Sequence, residues 1–410
     1  MTTTPTATTT SSAPAPPPPE TPVDRLTSAL RGNFRQYGMV VALVLIVALF
    51  QIWTSGILLK PLNVSNIVQQ NGYILILAIG MVIVIISGHI DLSVGSIAGF
   101  IGAMSAVLMI RHDMPWPVAV VVCLVLGAIF GAWQGFWIAY VGIPSFIVTL
   151  AGMLVFRGAT QYLLEGQSIA PFPRGFGQVS SGFLPEIGGS SLYHWPTVIL
   201  GALVMIAAVW QQVRQRRTQT QYGFRVMPAG WFLAKCAAIV AALASFTLLL
   251  ASYRGVPVVG IILAVAFVIY AFVMRSTVVG RQVYAVGGNV AAARLSGVKT
   301  KRVTFLVFVN MGLLSALAGL LFAARLNSAT PQAGIGMELE AIAAAFIGGA
   351  SANGGVGTVF GAIIGGFVLG VLNNGMSLIG IGSDVQQLIK GLVLLAAVGF
   401  DVYNKKKGGS

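Results

Sequence analysis

Residues 66–87 read NIVQQNGYILILAIGMVIVIIS, a run without a single charged side chain. About 20 predominantly apolar residues in helical form cross the hydrocarbon core of a bilayer. In lipid the backbone must satisfy its own hydrogen bonds, so a span is a helix or part of a closed barrel. The run has no polar alternation of barrel type, and its Leu, Ile and Ala content favours helix. Runs of the same kind lie near 38–58, 92–111, 115–140, 144–164, 195–211, 231–252, 256–274, 303–324, 356–379 and 385–402. A shorter one at 338–350 is too short to cross alone and reads as half of a broken helix. The expected fold is all-α: a polytopic transmembrane helix bundle of about 10–12 spans with broken or short helices.

Composition points the same way. Of 410 residues, 56% are hydrophobic and 8% charged. Soluble domains carry about 25% charged residues, because a folded surface must be wetted. The net charge of +14 has an orientation reading and a nucleic-acid reading. The bases lie between apolar runs without interleaved aromatics, so no nucleic-acid partner is expected. Cys123 and Cys236 sit inside apolar runs and read as packing residues.

Three organisational segments follow. Residues 1–37 form a Pro/Thr-rich cytoplasmic tail, expected to be disordered, 38–402 the membrane domain and 403–410 a basic cytoplasmic tail. With twelve crossings and an inner N-terminus, inner segments hold 16 of the 24 Lys plus Arg: three in 25–35, four in 214–225, six in 275–302 and Lys405–Lys407. Outer segments hold five: Lys60, Arg111, Arg174, Arg254 and Arg325. That asymmetry places both termini in the cytoplasm, and 165–194 becomes an outer loop rich in Gly, Ser and Pro. Glycines recur at four-residue spacing at Gly127, Gly131 and Gly135, and again along 361–370, which lets helix backbones approach closely.

The most basic inner segment contains Gly287, Gly288, Asn289, Val290, Ala291, Ala292, Ala293, Arg294, Leu295, Ser296 and Gly297. Glycines break the chain, Asn289 caps, alanines favour helix and Gly297 ends it. The expectation is a short helix outside the bilayer, either an ordinary connection or a docking helix that receives force from a partner. Gly288 is the position where a β-branched residue is expected to disturb it.

Polar residues at membrane depth are the other candidates. Asp91, with Ser93 and Gly95, lies at a break between apolar runs and reads either as a functional intramembrane carboxylate or as a helix-starting one. His89 has no second metal ligand at helical spacing, so no metal site is expected. Glu338 and Glu340 read as helix-start carboxylates; Arg157 reads more readily as a snorkelling base than as a bridge between spans through a carboxylate or carbonyls, leaving no paired intramembrane charge. Gly348, Gly349, Gly354 and Gly355 flank a polar Ser-Ala-Asn and predict a hinge near the pathway. Asn373 and Asn374 are expected to face the bundle, as interhelical links or as pore lining.

Four stretches carry a resemblance: GGNVAAARLSGV at 287–298, SGHIDLSVGS at 87–96, PSFIVTLAGMLVFRG at 144–158, and ELEAIAAAFIGGASANGGVGTVFGAIIGGFVLGVLNNGMS at 338–377. Taken in chain order, 87–96, 144–158, 287–298 and 338–377, they resemble permeases of ABC importers of the ribose/xylose/branched-chain amino acid type. The wording is most similar to the xylose and multiple-monosaccharide subgroup. So is the extra pair of spans around the basic loop 212–230. Where that family usually has Glu, this chain has Ala291, which leaves Arg294 as the loop's remaining charged contact.

The resemblance implies a transport subunit of a bacterial inner membrane, not an enzyme, with no catalytic residues. It implies as partners a second permease copy, a cytoplasmic ABC ATPase subunit and a periplasmic sugar-binding protein. No cofactor is expected on this chain, since ATP and Mg belong to the ATPase. An ion-coupled secondary carrier and a membrane-embedded enzyme are the competing classes. The chain has no HExxH, no GxSxG and no GxxxxGK[ST], so it is not its own ATPase.

Overall fold

The computed structural model describes residues 22–186, 193–224 and 226–408. The Thr/Pro-rich stretch 1–21 lies outside them. The helices in chain order are α1 (Pro22–Trp53), α2 (Pro61–Ile86), α3 (Val94–Ala106), α4 (Trp116–Phe136), α5 (Ser145–Leu164), α6 (Arg174–Ser181), α7 (Trp195–Gln221) and α8 (Ala229–Ala251). They continue with α9 (Val258–Ser276), α10 (Val278–Gly288), α11 (Val290–Leu295), α12 (Thr300–Leu326), α13 (Met337–Ile347), α14 (Val359–Leu378) and α15 (Ser383–Gly408). No strand occurs among the described residues.

The all-α bundle is as expected. Nine of these helices are long and apolar enough to cross a membrane by length and composition, among the described residues. α1 and α15 add membrane-length helices, while α13 is the short one: its 11 residues extend about 16 Å, half a crossing. Helical backbone begins at Pro22, inside the stretch read as a tail, and α15 runs on to Gly408 through the basic C-terminal segment. The outer loop is less irregular than its composition implies. It holds α6, whose Phe176 is fully buried.

Burial sorts the helices into centre and rim. In its most apolar window α2 is 83% buried, against 6% for α7 and 17% for α8. α12 packs against α2, α3 and α4, so α2 and α12 form the axis of the bundle. Hydrophobic burial supplies little attraction between helices already in lipid; close packing and hydrogen bonds do. The α4–α12 contact shows how. A β-carbon at Gly127 would collide with the Gly312 carbonyl, and one at Gly131 with the Phe308 carbonyl.

Irregular backbone interrupts the bundle at two places, each with buried anchors: Ser87, Asp91 and Ser93 in the first, Gly348, Ala350 and Ser351 in the second. One break, 87–93, separates α2 from α3. Another, 348–358, separates α13 from α14. The last turns of α3 and α4 widen to π-helix over Val107–Arg111 and Trp137–Val141.

Candidate coupling and pathway site

Two clusters gather most of the residues singled out in the sequence. The inner one is built on α10 and α11. Asn289 is extended, and its Oδ1 accepts from the Ala292 N–H at 3.0 Å, capping α11. The short helix therefore forms as its residues predict. It ends at Leu295; Ser296 Oγ donates to the Ala292 carbonyl at 3.0 Å, and Gly297 turns the chain with φ +82°. Ala293 is buried, whereas Ala292, Arg294 and Ser296 are exposed and Leu295 is 90% exposed.

The glycine expectation shifts by one residue. A β-carbon on Gly288 meets nothing within 4 Å, so the expected disturbance there is absent. At Gly287 a β-carbon would overlap the Ile86 carbonyl and lie 2.8 Å from Gly355 N. The reason is the close approach of three backbones. Gly355 N–H donates to the Ile86 carbonyl at 2.8 Å, and Gly287 lies against both. Tyr284 O–H donates to the Gly357 carbonyl at 2.8 Å, and burial raises the phenol above its usual range. The end of α10, just before the short helix α11, thus sits directly on both chain breaks.

Within the second break, Gly348 closes α13, and Gly349, Gly354 and Gly355 have positive φ (+83°, +77° and +71°). Ser351 N–H donates to the Val356 carbonyl at 3.0 Å, so the break is a tight, internally bonded turn.

The other cluster lies deeper. Asp91 is buried, and its Oδ1 accepts from Ser93 N–H at 2.8 Å and Ser93 Oγ at 2.6 Å, which shapes the turn leading into α3. Gln134 Nε2 on α4 donates to Ser93 Oγ at 2.8 Å. Gly152 on α5 lets Gln134 fit, since a β-carbon there would be 2.5 Å from Gln134 Nε2. A β-carbon on Gly95 would strike Glu338 Oε2 and the Gly334 carbonyl. Glu338 Oε1 accepts from Arg157 Nη2 at 2.8 Å.

The last contact corrects the expectation of no paired charge in the bundle. Arg157 is not a snorkelling base. It bridges α5 to Glu338, whose side chain is only 6% exposed. Lys390 Nζ on α15 likewise meets Glu340 Oε1 at 2.7 Å. Both carboxylates of the first turn of α13 are tied to bases from different helices. Glu338 Oε2 and Arg157 Nε remain buried without a partner.

Asn373 and Asn374 stand apart from both clusters. Asn374 exchanges two side-chain hydrogen bonds with Asn63 on α2, at 2.8 and 3.0 Å, so it is an interhelical link. The Asn373 amide oxygen is buried without a hydrogen bond. Sequence reasoning passed over Gln134, Gly152 and the pairing of Lys390, and ranked the bridging reading of Arg157 below snorkelling. The legible signal was a lone Gln in the 115–140 span and lone bases within spans, each expensive at membrane depth unless partnered.

A membrane-length helix bundle with two chain breaks and a short helix pair beyond its spans has the architecture of a membrane transport permease. The family model described as the permease component of a branched-chain amino acid transport system matches residues 63–398, and the chain belongs to that family. It is 41% identical to the xylose transport system permease protein XylH of Haemophilus influenzae over 375 residues, covering 92% of this chain and 98% of the relative. It is 39% identical to XylH of Escherichia coli K12, covering 92% and 93%. It is 34% identical to the ribose import permease protein RbsC of Bacillus subtilis, covering 90% and 94%. No solved structure matches it.

Proposed function

We propose that the chain is the translocating subunit of an ATP-driven importer for xylose or a related monosaccharide, with both termini in the cytoplasm of a bacterial inner membrane. The near full-length similarity to two xylose permeases supports the cargo class. The observation that carries the mechanism is the stacking of Gly287 on the Ile86 carbonyl and Gly355. Through it a push on α11 reaches the 87–93 and 348–358 breaks without a compliant loop between.

The first break leads in a few residues to Asp91, Ser93 and Gly95, hence to Gln134 and Glu338. Coupling of this kind needs a bistable element biased by contacts at each end. Here the element is the pair of breaks, with the Arg157–Glu338 and Lys390–Glu340 pairs fixing α5 and α15 in one arrangement. A separate ATPase subunit grips α11 through Leu295 and Arg294 and holds the ATP and Mg. A sugar-binding protein delivers cargo to the opposite face, and a second permease copy completes the pathway.

The test is reconstitution in liposomes with the ATPase and binding protein, followed by uptake of a pentose and hexose panel. ATP-dependent xylose uptake is the expected result. Sugar flux by the purified chain without ATP sinks the proposal, as does a pathway driven by a proton gradient alone.

A further inference from the structure

The α7–α8 hairpin is the least integrated part of the bundle: the two helices pack on each other, and α8 reaches α2. Its apolar stretch ends at Trp210, after which α7 continues as QQVRQRRTQTQ. At this border the cations are organised rather than splayed. The Arg216 guanidinium lies 4.4 Å from the centre of the Phe232 ring across the seam. Lys235 Nζ donates to Gln212 Oε1 at 2.9 Å, and Arg214 lies 5.5 Å over Trp210. Lys235 is six residues into α8, so it sits about 9 Å along that helix, level with the border and not with the tip.

These cations have no carboxylate. No Asp or Glu occurs between Glu186 and Glu338 in the sequence. Among the described residues the ion pairs are Arg111–Glu165, Arg157–Glu338 and Lys390–Glu340. Bases gathered at an interface without an acid attract an anion from elsewhere, and an anionic headgroup is worth about 1 kcal/mol to each. Exposed Trp210 and Trp231 mark the headgroup level, where amphipathic rings settle.

We propose that the seam between α7 and α8 binds the headgroup of an anionic phospholipid, with Arg216 and Lys235 on the phosphate and Arg214 beside them. The lipid then supplies attachment that this hairpin lacks in protein contacts. A free phosphate offers the same charge but none of the acyl contact along the exposed apolar faces of α7 and α8. A protein partner would meet the loop tip before the seam.

Native mass spectrometry of the full chain, purified from membranes and exchanged into mixed lipids, tests this. Wild type should retain phosphatidylglycerol over phosphatidylcholine. The double variant Arg216→Gln/Lys235→Gln should lose about thirtyfold in that retention, as expected for two bases near an anionic surface. Arg216→Lys, which keeps the charge, should hold the lipid, and Arg174→Gln, an exposed base outside the seam, should retain it as wild type does. In nanodiscs, trypsin cleavage after Arg214 and Arg217 should slow when phosphatidylglycerol is present. Equal retention by the double variant overturns the proposal. So does equal protection by phosphatidylcholine, by inorganic phosphate in detergent, or only by added ATPase subunit.

Discussion

At the scale of single residues, the decisive fact is how much chemistry is compressed around α13's first turn. Glu338 is nearly sealed, so removing its partner strands a charge. Arg157→Ala should destabilise the chain by about 3 kcal/mol, because an unpaired buried charge costs more than the pair contributes. Adding Glu338→Gln to that variant should recover most of the loss. Thermal unfolding in detergent reads both, and a double variant no better than the single one sinks the ion-pair account. Gly287 and Gly288 make a second contrast. Gly287→Val should abolish ATPase stimulation while membrane insertion persists, whereas Gly288→Ala should leave stimulation within about twofold. Equal effects at both positions would show that the three-backbone stack does not transmit force.

At the scale of elements, α4 and α12 are held by glycine-mediated contact rather than by bulky side chains. Gly131→Leu should force them apart at a cost of about 1–3 kcal/mol, seen as a lowered Tm, since overpacking has no room to relax there. The short helix α11 is the opposite case. It contributes little to the fold and exposes Val290, Arg294 and Leu295. Leu295→Asp should therefore leave Tm unchanged and weaken ATPase binding by about 30-fold, the scale of a single hot-spot anchor. Unchanged binding in a pull-down titration would return α11 to the status of a plain connector. Much at this scale was legible beforehand. The spans, the short 338–350 segment and the capped 289–295 helix follow from run length, cap residues and helix propensity. The position of Gly287 against Ile86 did not, because nothing local in GGNVAAARLSGV says which glycine another backbone will approach.

At the scale of the molecule, the asymmetry of basic residues between inner and outer segments carries a topological prediction. In a variant lacking Cys123 and Cys236, Leu295→Cys should react with a membrane-impermeant thiol reagent only in inside-out vesicles. Glu165→Cys should react only from the other side. Labelling of both from one side would break the assigned order.

What the chain's own letters determined is the solvent it lives in. Charge scarcity and repeated runs of membrane length exclude a soluble fold, because the free energy of burying a helix in lipid depends on composition and length alone. They also determined the punctuation, since glycines and cap residues act within a few positions. Which lone Arg, Lys, Glu and Gln become partners was decided only by tertiary structure. Arg157 and Glu338 lie 181 positions apart, and Asn63 and Asn374 lie 311 apart. Such pairs form because an isolated polar group in lipid is costly, but which groups meet depends on how the helices are arranged around α2 and α12.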